Sequence, residues 1–106
     1  MDKKSTQIEL KIVRTDIKFI TVNMLNMNLR QIDFSMNKIL YLPDEICELR
    51  LLEMLKVDKN NLKQLPSDIG NLRSLKELSA SHNDLRSLPD DLARCQQLED
   101  LIINDN

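Results

Sequence analysis

Apolar side chains recur along this chain at a fixed interval of 23 residues. One copy of the pattern reads Ile32-x-Phe34-x-x-Asn37-x-Ile39-x-x-Leu42-Pro43, where x is a variable and mostly polar residue. Further copies start at Leu55, Leu78 and Leu101. A period of roughly 20–50 residues is typical of solenoids, in which each repeat buries its apolar face against its neighbours. The pattern therefore predicts a stacked-repeat fold.

The repeats divide nearly the whole chain into units of similar length. With Leu29, Leu52, Leu75 and Leu98 as position 1, positions 4, 6, 9, 11, 14, 18 and 21 are apolar or Asn in every complete copy. The preceding region fits the same frame with one deletion, and fills these seven positions with Leu10, Ile12, Thr15, Ile17, Ile20, Met24 and Met27. We expect a tail over 1–6, a degenerate repeat over 7–28, full repeats over 29–51, 52–74 and 75–97, and a partial repeat over 98–106.

Each repeat is expected to contain one short strand and one short helical turn. Positions 4 and 6 lie two residues apart, so both point into the core from the same side of a strand. The predicted strands centre on 10–12, 32–34, 55–57, 78–80 and 101–103 and stack in parallel. A helical or 3₁₀ turn should follow each Leu-Pro, with Pro at its first helical position. Arg50, Arg73 and Arg94 come late in these turns, where the helix dipole favours cations.

An asparagine occupies position 9, where the chain turns away from each strand. Its side-chain amide has two donors and an acceptor, and can satisfy backbone groups of its own turn and of the neighbouring repeat. The predicted ladder consists of Asn37, Asn60, Asn83 and Asn106. Thr15 takes this place in the first repeat and can form only part of the bonding, which predicts a looser first repeat.

The outer face of the strands is the candidate binding surface, because positions 3, 5 and 7 should point away from the core. Residues there and at position 8 vary between copies, whereas the core positions barely change. Such variation is typical of a surface adapted to one partner, and equally of an unconstrained solvent face. The candidate protein-binding residues are Met54, Lys56, Asp58, Glu77, Ser79, Ser81, His82, Asp100 and Ile102.

Charge and apolar side chains along this face suggest the chemistry of a partner. The charge changes from basic, at Lys11 and Arg14, to acidic, at Glu77, Asp100 and Asp105. We expect a partner with basic residues toward the acidic end, and an association that weakens with salt. Met54 and Ile102 are the predicted apolar anchors.

Composition favours a protein partner. The 17 acidic and 15 basic residues give a formal charge of −2, which offers no general attraction to nucleic acid or an anionic membrane. Aromatic residues, which stack on unpaired bases, make up only 3% of the chain. No stretch is long and apolar enough to predict membrane insertion. Cys47 and Cys95 fall on packed positions, which indicates reduced structural thiols and a cytoplasmic location.

No constellation of residues predicts catalysis, a metal site or a cofactor. His82 is the single histidine, and no cysteine lies at ligand spacing from it. Ser79 and Ser81 stand nearby on a predicted surface strand without an oxyanion-hole motif. Gly70 is the sole glycine, which excludes a glycine-rich phosphate loop. We therefore expect no enzyme activity.

The wording of the repeats resembles a known family. Residues 65–78 read Leu-Pro-Ser-Asp-Ile-Gly-Asn-Leu-Arg-Ser-Leu-Lys-Glu-Leu, and the strand region follows L-x-x-L-x-L-x-x-N-x-L. From about residue 7 to 106 the chain resembles the intracellular leucine-rich repeats of Ras-pathway scaffold proteins, the Scribble and Erbin group, plant Ras-group repeat proteins and fungal adenylyl cyclases.

This resemblance implies an α/β solenoid, with short parallel strands on the concave face and helical or 3₁₀ turns on the convex face. It implies a protein-recognition module, often one that scaffolds small-GTPase or phosphatase signalling. An alternative is a regulatory or targeting segment of a larger enzyme, such as a cyclase, kinase, phosphatase or nuclease. The chain stops inside a repeat without a polar cap, so we expect it to be part of a longer solenoid.

Overall fold

Five parallel strands form one sheet in the computed structural model, which describes residues 8–106. The expected tail over 1–6 lies outside the described residues. The strands are β1 (Glu9–Lys11), β2 (Gln31–Asp33), β3 (Met54–Lys56), β4 (Glu77–Ser79) and β5 (Asp100–Ile102). Each strand pairs with the equivalent residues of the next repeat, so Leu55 lies between Ile32 and Leu78. The predicted solenoid is confirmed, and its strands cover positions 3–5, one residue earlier than predicted.

Aliphatic side chains at the repeat positions form one continuous core. Ile32, Leu55 and Leu78, at position 4 of the middle repeats, have no exposed surface. Leu10 of the first repeat is only partly buried, and Leu101 of the last is 39% exposed. Among residues 8–106, each of these two has a neighbouring strand on one side only, whereas the middle residues have one on both sides.

Short 3₁₀ turns form the return limbs of the described repeats: Val22–Met24, Asp44–Glu48, Ile69–Asn71 and Asp90–Arg94. Turns after each Leu-Pro were predicted and are confirmed. The prolines themselves lie outside the turns, since Pro43 and Pro89 have extended backbone and immediately precede the first turn residue. No helix among residues 8–106 has the length and apolar character needed to cross a membrane.

The arginines after the turns differ from the sequence prediction. Of the three arginines, only Arg94 lies within a 3₁₀ turn, where it also pairs with Asp91 at 3.1 Å. Arg50 and Arg73 follow turns that end before them, so stabilisation by a helix dipole does not explain these two residues. A 3₁₀ turn of three to five residues also has little dipole to offer.

The first repeat differs from the predicted alignment around its turn. The backbone N–H of Leu25 donates to the Val22 carbonyl, just as Leu49 closes the turn of the next repeat. Leu25, and not Met24 or Met27, is therefore the side chain that packs on the core from this limb. Met27 is 56% exposed, so its assignment to core position 21 is wrong.

Candidate protein-binding surface

The outward side chains of β3–β5, with the residues just after each strand, form a surface that we call the concave strip. The sheet register places Met54, Glu77 and Asp100 side by side, and Lys56 lies in the next row with Ile102. Seven of the nine predicted binding residues on this strip are partly or fully exposed: Met54, Lys56, Asp58, Glu77, His82, Asp100 and Ile102. The structure therefore brings these seven together on one face.

Ser79 and Ser81 are buried, which contradicts the exposure that their prediction assumed. The Ser79 hydroxyl donates to the Asp58 carboxylate at 2.7 Å, and the Ser81 backbone N–H donates to the same carboxylate at 2.7 Å. The Ser81 hydroxyl in turn accepts from the Asn104 backbone N–H at 3.0 Å. These serines link neighbouring repeats beneath the surface, and Asp58 covers them.

The charges of the strip are partly neutralised within the chain. Lys56 lies 3.8 Å from Glu77, and His82 lies 3.3 Å from Asp105, a contact that becomes an ion pair only when the imidazole is protonated. Asp100 is exposed and has no ion-pair partner among residues 8–106. Because Glu77 and Asp105 already face basic groups, Asp100 is the carboxylate most available to a basic group on a partner.

The asparagine ladder is formed as predicted and holds the strip in register. The Asn60 side chain accepts from the Ile39 backbone N–H at 3.0 Å and donates to the carbonyls of Phe34 and Val57, both at 3.0 Å. It thus bridges its own repeat and the preceding one. The following members repeat these contacts: Asn83 and Asn106.

The first rung of the ladder differs because Thr15 replaces asparagine there. Asn37 donates to the Ile12 and Phe34 carbonyls, both at 2.8 Å, but its oxygen accepts from both the backbone N–H and the hydroxyl of Thr15. The Ile17 backbone N–H binds the Thr15 hydroxyl at 3.3 Å instead of an asparagine oxygen. Thr15 therefore takes over part of the asparagine's role.

The residue just before each position 9 residue has a left-handed backbone conformation, which the sequence did not reveal. Position 8 has φ between 56° and 62° in all five repeats, at Arg14, Met36, Lys59, His82 and Asp105. This conformation turns the chain out of the strand and presents the side chain at the rim of the concave strip. The five residue types do not indicate a positive φ, because glycine, the usual residue for this conformation, is absent from position 8.

The two cysteines are buried, free and separate from the concave strip. Burial raises the pKa of the Cys47 thiol to about 12, and the carboxylates of Asp68, Asp44 and Asp91 add to the effect. Burial also raises the pKa of Cys95, whose sulfur donates to the Ile69 carbonyl at 3.3 Å. Within residues 8–106, no group of His, Cys, Asp and Glu side chains has the arrangement needed to hold a metal ion.

Comparison with known proteins agrees with this architecture. The family model for a leucine-rich repeat region matches residues 14–105. No curated protein matches the chain. Among solved structures, a leucine-rich repeat protein of Leptospira interrogans superimposes with a TM-score of 0.70 at 24% identity, over 96% of this chain and 33% of that one. The chain thus spans about a third of that protein's length, and the likeness concerns the fold. From the family match and the repeated geometry, the chain belongs to the leucine-rich repeat family, whose members typically act as protein-interaction modules.

Proposed function

We propose that this chain binds another protein through the concave strip. One observation carries the proposal: seven accessible side chains of varied chemistry lie together on a sheet whose backbone is held by the asparagine ladder. A rigid surface loses little conformational entropy on binding, so its contacts contribute more fully to affinity. Met54 supplies a half-buried apolar contact in the middle of the strip, and Ile102 an exposed one at its edge.

More specifically, we propose that the chain scaffolds or regulates signalling proteins. The expected partners belong to a small-GTPase or phosphatase pathway. The support for this role is the resemblance of residues 65–78 to repeats of Ras-pathway scaffolds. The chemistry of the strip further favours a partner that places a basic group opposite Asp100. Such a contact is exposed, so added salt should weaken association.

Affinity capture with matched variants tests the binding face. We expect Met54→Ala combined with Asp100→Arg to lose a defined set of partners, because it removes the apolar contact and reverses the available charge. The control is Arg50→Glu combined with Arg73→Glu on the convex side, which should keep that set. Quantitative mass spectrometry measures the bound proteins, and circular dichroism checks that both variants fold. Loss of partners in the control but not in the strip variant would place the binding face on the other side.

We also propose a location inside the cell, in a reducing compartment. Cys47 and Cys95 are both free and buried, which suits structural thiols that are kept reduced. Fractionation of cells that produce the tagged chain would test this location. Recovery of the chain from the culture medium would contradict it.

A further inference from the structure

An exposed aromatic pair lies on the side of the solenoid, away from the concave strip. The chain has two Phe, one Tyr and no Trp, and Phe34 is fully buried in the core. The other two, Phe19 and Tyr41, are 49% and 55% exposed, and their rings meet edge to face at 5.6 Å. A parallel β-bridge between these two residues fixes the pair. Two of the three aromatic side chains therefore face solvent in a fixed arrangement.

A groove of about 460 Å³ begins at Tyr41 and crosses three successive repeats. The buried residues Leu42, Leu65 and Pro66 form its floor, and the accessible apolar groups are the Tyr41 ring and the partly exposed Pro89. The volume lies within the range of roughly 300–1,000 Å³ that is typical of ligand sites. Two repeat intervals of about 4.8 Å make the groove about 10 Å long, which matches about three residues of a polyproline II helix at about 3.1 Å each.

Unused hydrogen-bonding groups line the groove beside these apolar groups. The side chains of Tyr41, Gln64, Ser67 and Ser87 have no hydrogen-bond partner within the described residues. Each of them can donate to a carbonyl. Leu40 and Asp84, which lie beside the groove, donate their backbone N–H groups to carbonyls of the preceding repeat, but the backbone N–H groups of the lining residues Gln64, Ser67 and Ser87 form no hydrogen bond within the described residues. A ligand that exposes carbonyls therefore fits this surface, because both side-chain and backbone donors are unused there.

The charge of the groove is acidic. Asp44 is the single charged residue among the described residues that line it, and it stands at the same end as Tyr41. Asp44 has no ion-pair partner among residues 8–106, and neither does Asp90 in the equivalent place two repeats later. If one residue of a ligand packs on the Tyr41 ring, a basic side chain on the adjacent ligand residue would lie close to the unpaired Asp44 carboxylate.

We propose that this groove binds a proline-containing, extended segment of a partner protein with a lysine or arginine beside its first proline. A polyproline II segment exposes its carbonyls, forms no internal hydrogen bonds and packs its rings on aromatic side chains. The Tyr41 ring and Pro89 receive the apolar side of the segment. The four free donors bind its carbonyls, and Asp44 binds the cation. This site is separate from the concave strip, so either can fail without the other.

The composition of the chain provides a direct probe. Tyr41 is the only tyrosine and there is no tryptophan, so the intrinsic fluorescence of the protein reports on this groove. The ligand probe is acetyl-Lys-Pro-Pro-Pro-Pro-Ala-amide, which has no aromatic residue. We expect a saturable change in tyrosine emission with this peptide. We expect at least about tenfold weaker binding when alanines replace its prolines, because the aromatic contact and the preformed helix are lost.

Matched variants separate the groove from general surface effects. The side-chain amide of Gln64 gives an NMR signal that reports binding without a tyrosine. Tyr41→Ala should weaken the peptide by about tenfold or more, whereas Leu40→Ala, the exposed neighbour that does not line the groove, should not. Asp44→Asn should weaken only the lysine peptide and not a glutamine version, and Glu45→Gln should weaken neither. Ser87→Ala, two repeats from the aromatic pair, provides a second test of the groove.

Three results would overturn the proposal. The first is equal binding of the proline and alanine peptides, which would show a simple charge attraction. The second is unchanged affinity in both Tyr41→Ala and Ser87→Ala. The third is a change of tyrosine emission with protein concentration alone, together with a dimer in sedimentation, which would make a second copy of the chain the occupant.

Discussion

At each strand exit, a left-handed residue precedes a residue whose side chain joins two repeats. Lys59, at φ 56°, donates its backbone N–H to the Ser81 carbonyl, and Asn60 then reaches back to the preceding repeat. The two residues therefore bind the repeats on both sides. Every buried side-chain nitrogen and oxygen among residues 8–106 has a hydrogen-bond partner. This complete pairing makes the loss of one member costly.

Asn60→Ala should lower the free energy of unfolding by roughly 1–3 kcal/mol, because it leaves the buried Ile39 N–H without a partner and removes one of the two side-chain donors to each of the Phe34 and Val57 carbonyls. Urea unfolding followed by circular dichroism measures the change. Asn61→Ala is the matched control, since Asn61 is exposed and its side chain has no partner in the described residues. Similar midpoints for the two variants would contradict the structural role of the ladder.

The left-handed position predicts an unusual order of residue types at Lys59. Lys59→Gly should match or exceed the wild-type stability, because relief of about 1–2 kcal/mol of backbone strain outweighs or offsets the entropy that glycine loses on folding. Lys59→Val should cost roughly 1–3 kcal/mol, since a β-branched residue tolerates positive φ poorly. Lys63 is also exposed but has no positive φ. At this position Lys63→Gly should therefore be less stable than Lys63→Val. Thermal unfolding of the four variants checks this order.

Cys47 gives the stability of the chain a pH dependence at the alkaline end. Its pKa rises from 9.0 to about 12 on folding, so the folded state keeps the proton over a range in which the unfolded state loses it. The stabilisation is therefore present below pH 9 and is lost as the pH rises toward 12. We expect the stability difference between wild type and Cys47→Ala to shrink across this range. Rapid reaction of the native thiol with iodoacetamide at pH 8 would contradict the inert, buried state.

The facing of single residues could be predicted within the strands but not beyond them. Alternation correctly placed Met54 and Lys56 outward and Leu55 inward. It failed at Ser81, because β4 ends at Ser79 and the strand geometry does not continue through position 7. Ser79 is outward in the sheet but buried by its bond to Asp58 of the preceding repeat. Such a contact depends on the side chain in the next repeat, which the periodicity of one strand does not include.

At the scale of elements, two 3₁₀ turns pack closely because Gly70 of the Ile69–Asn71 turn faces the Asp90–Arg94 turn. Gly70 donates its backbone N–H to the Asp91 carboxylate at 2.8 Å, and a Cβ atom on it would lie 2.4 Å from the Asp91 carbonyl oxygen. Its φ is not positive, so glycine is needed here for space and not for conformation. The same repeat position holds Cys47 and Ala93 in the neighbouring turns.

Gly70→Ala should destabilise the protein by roughly 1–3 kcal/mol, because the added methyl group forces two turns apart against a backbone oxygen that cannot rotate away. Denaturant unfolding measures the loss. Asn71→Ala, the next residue and an exposed one, should cost little. An unchanged midpoint for Gly70→Ala would show that the turns are not in close contact.

The strands and turns were predictable because the same residue pattern occurs in each full repeat. The incorrect assignments among them lie in the first repeat, where a deletion interrupts the pattern. Strands and turns in the middle repeats lie within one to three residues of their predicted places. In the first repeat, the deletion admits several alignments, and only backbone bonding shows that Leu25 closes the turn. The Tyr41 groove was not predicted, since it is built from positions 13–16 of three repeats, and no one repeat contains it.

At the scale of the whole molecule, each repeat contacts mainly its immediate neighbours. Contacts between strands are confined to sequence-adjacent pairs, in the order β1 to β5. The molecule extends over 45 × 33 × 20 Å. The concave strip is formed by positions 3–8 and the Tyr41 groove by positions 13–16, so the two surfaces use different parts of each repeat. In such a molecule the stability of each repeat depends on its place in the stack.

The same substitution should therefore cost different amounts in the middle and at the end of this chain. Leu78→Ala should lower the free energy of unfolding by roughly 2–5 kcal/mol, because Leu78 is fully buried between two repeats. Leu101 occupies the same repeat position, but its side chain is already 39% exposed. Leu101→Ala should therefore lower the free energy of unfolding clearly less. Urea unfolding gives both values, and native-state hydrogen exchange should show β3 and β4 protected more than β5. Equal costs at the two sites would mean that burial by neighbouring repeats does not govern the stability of this solenoid.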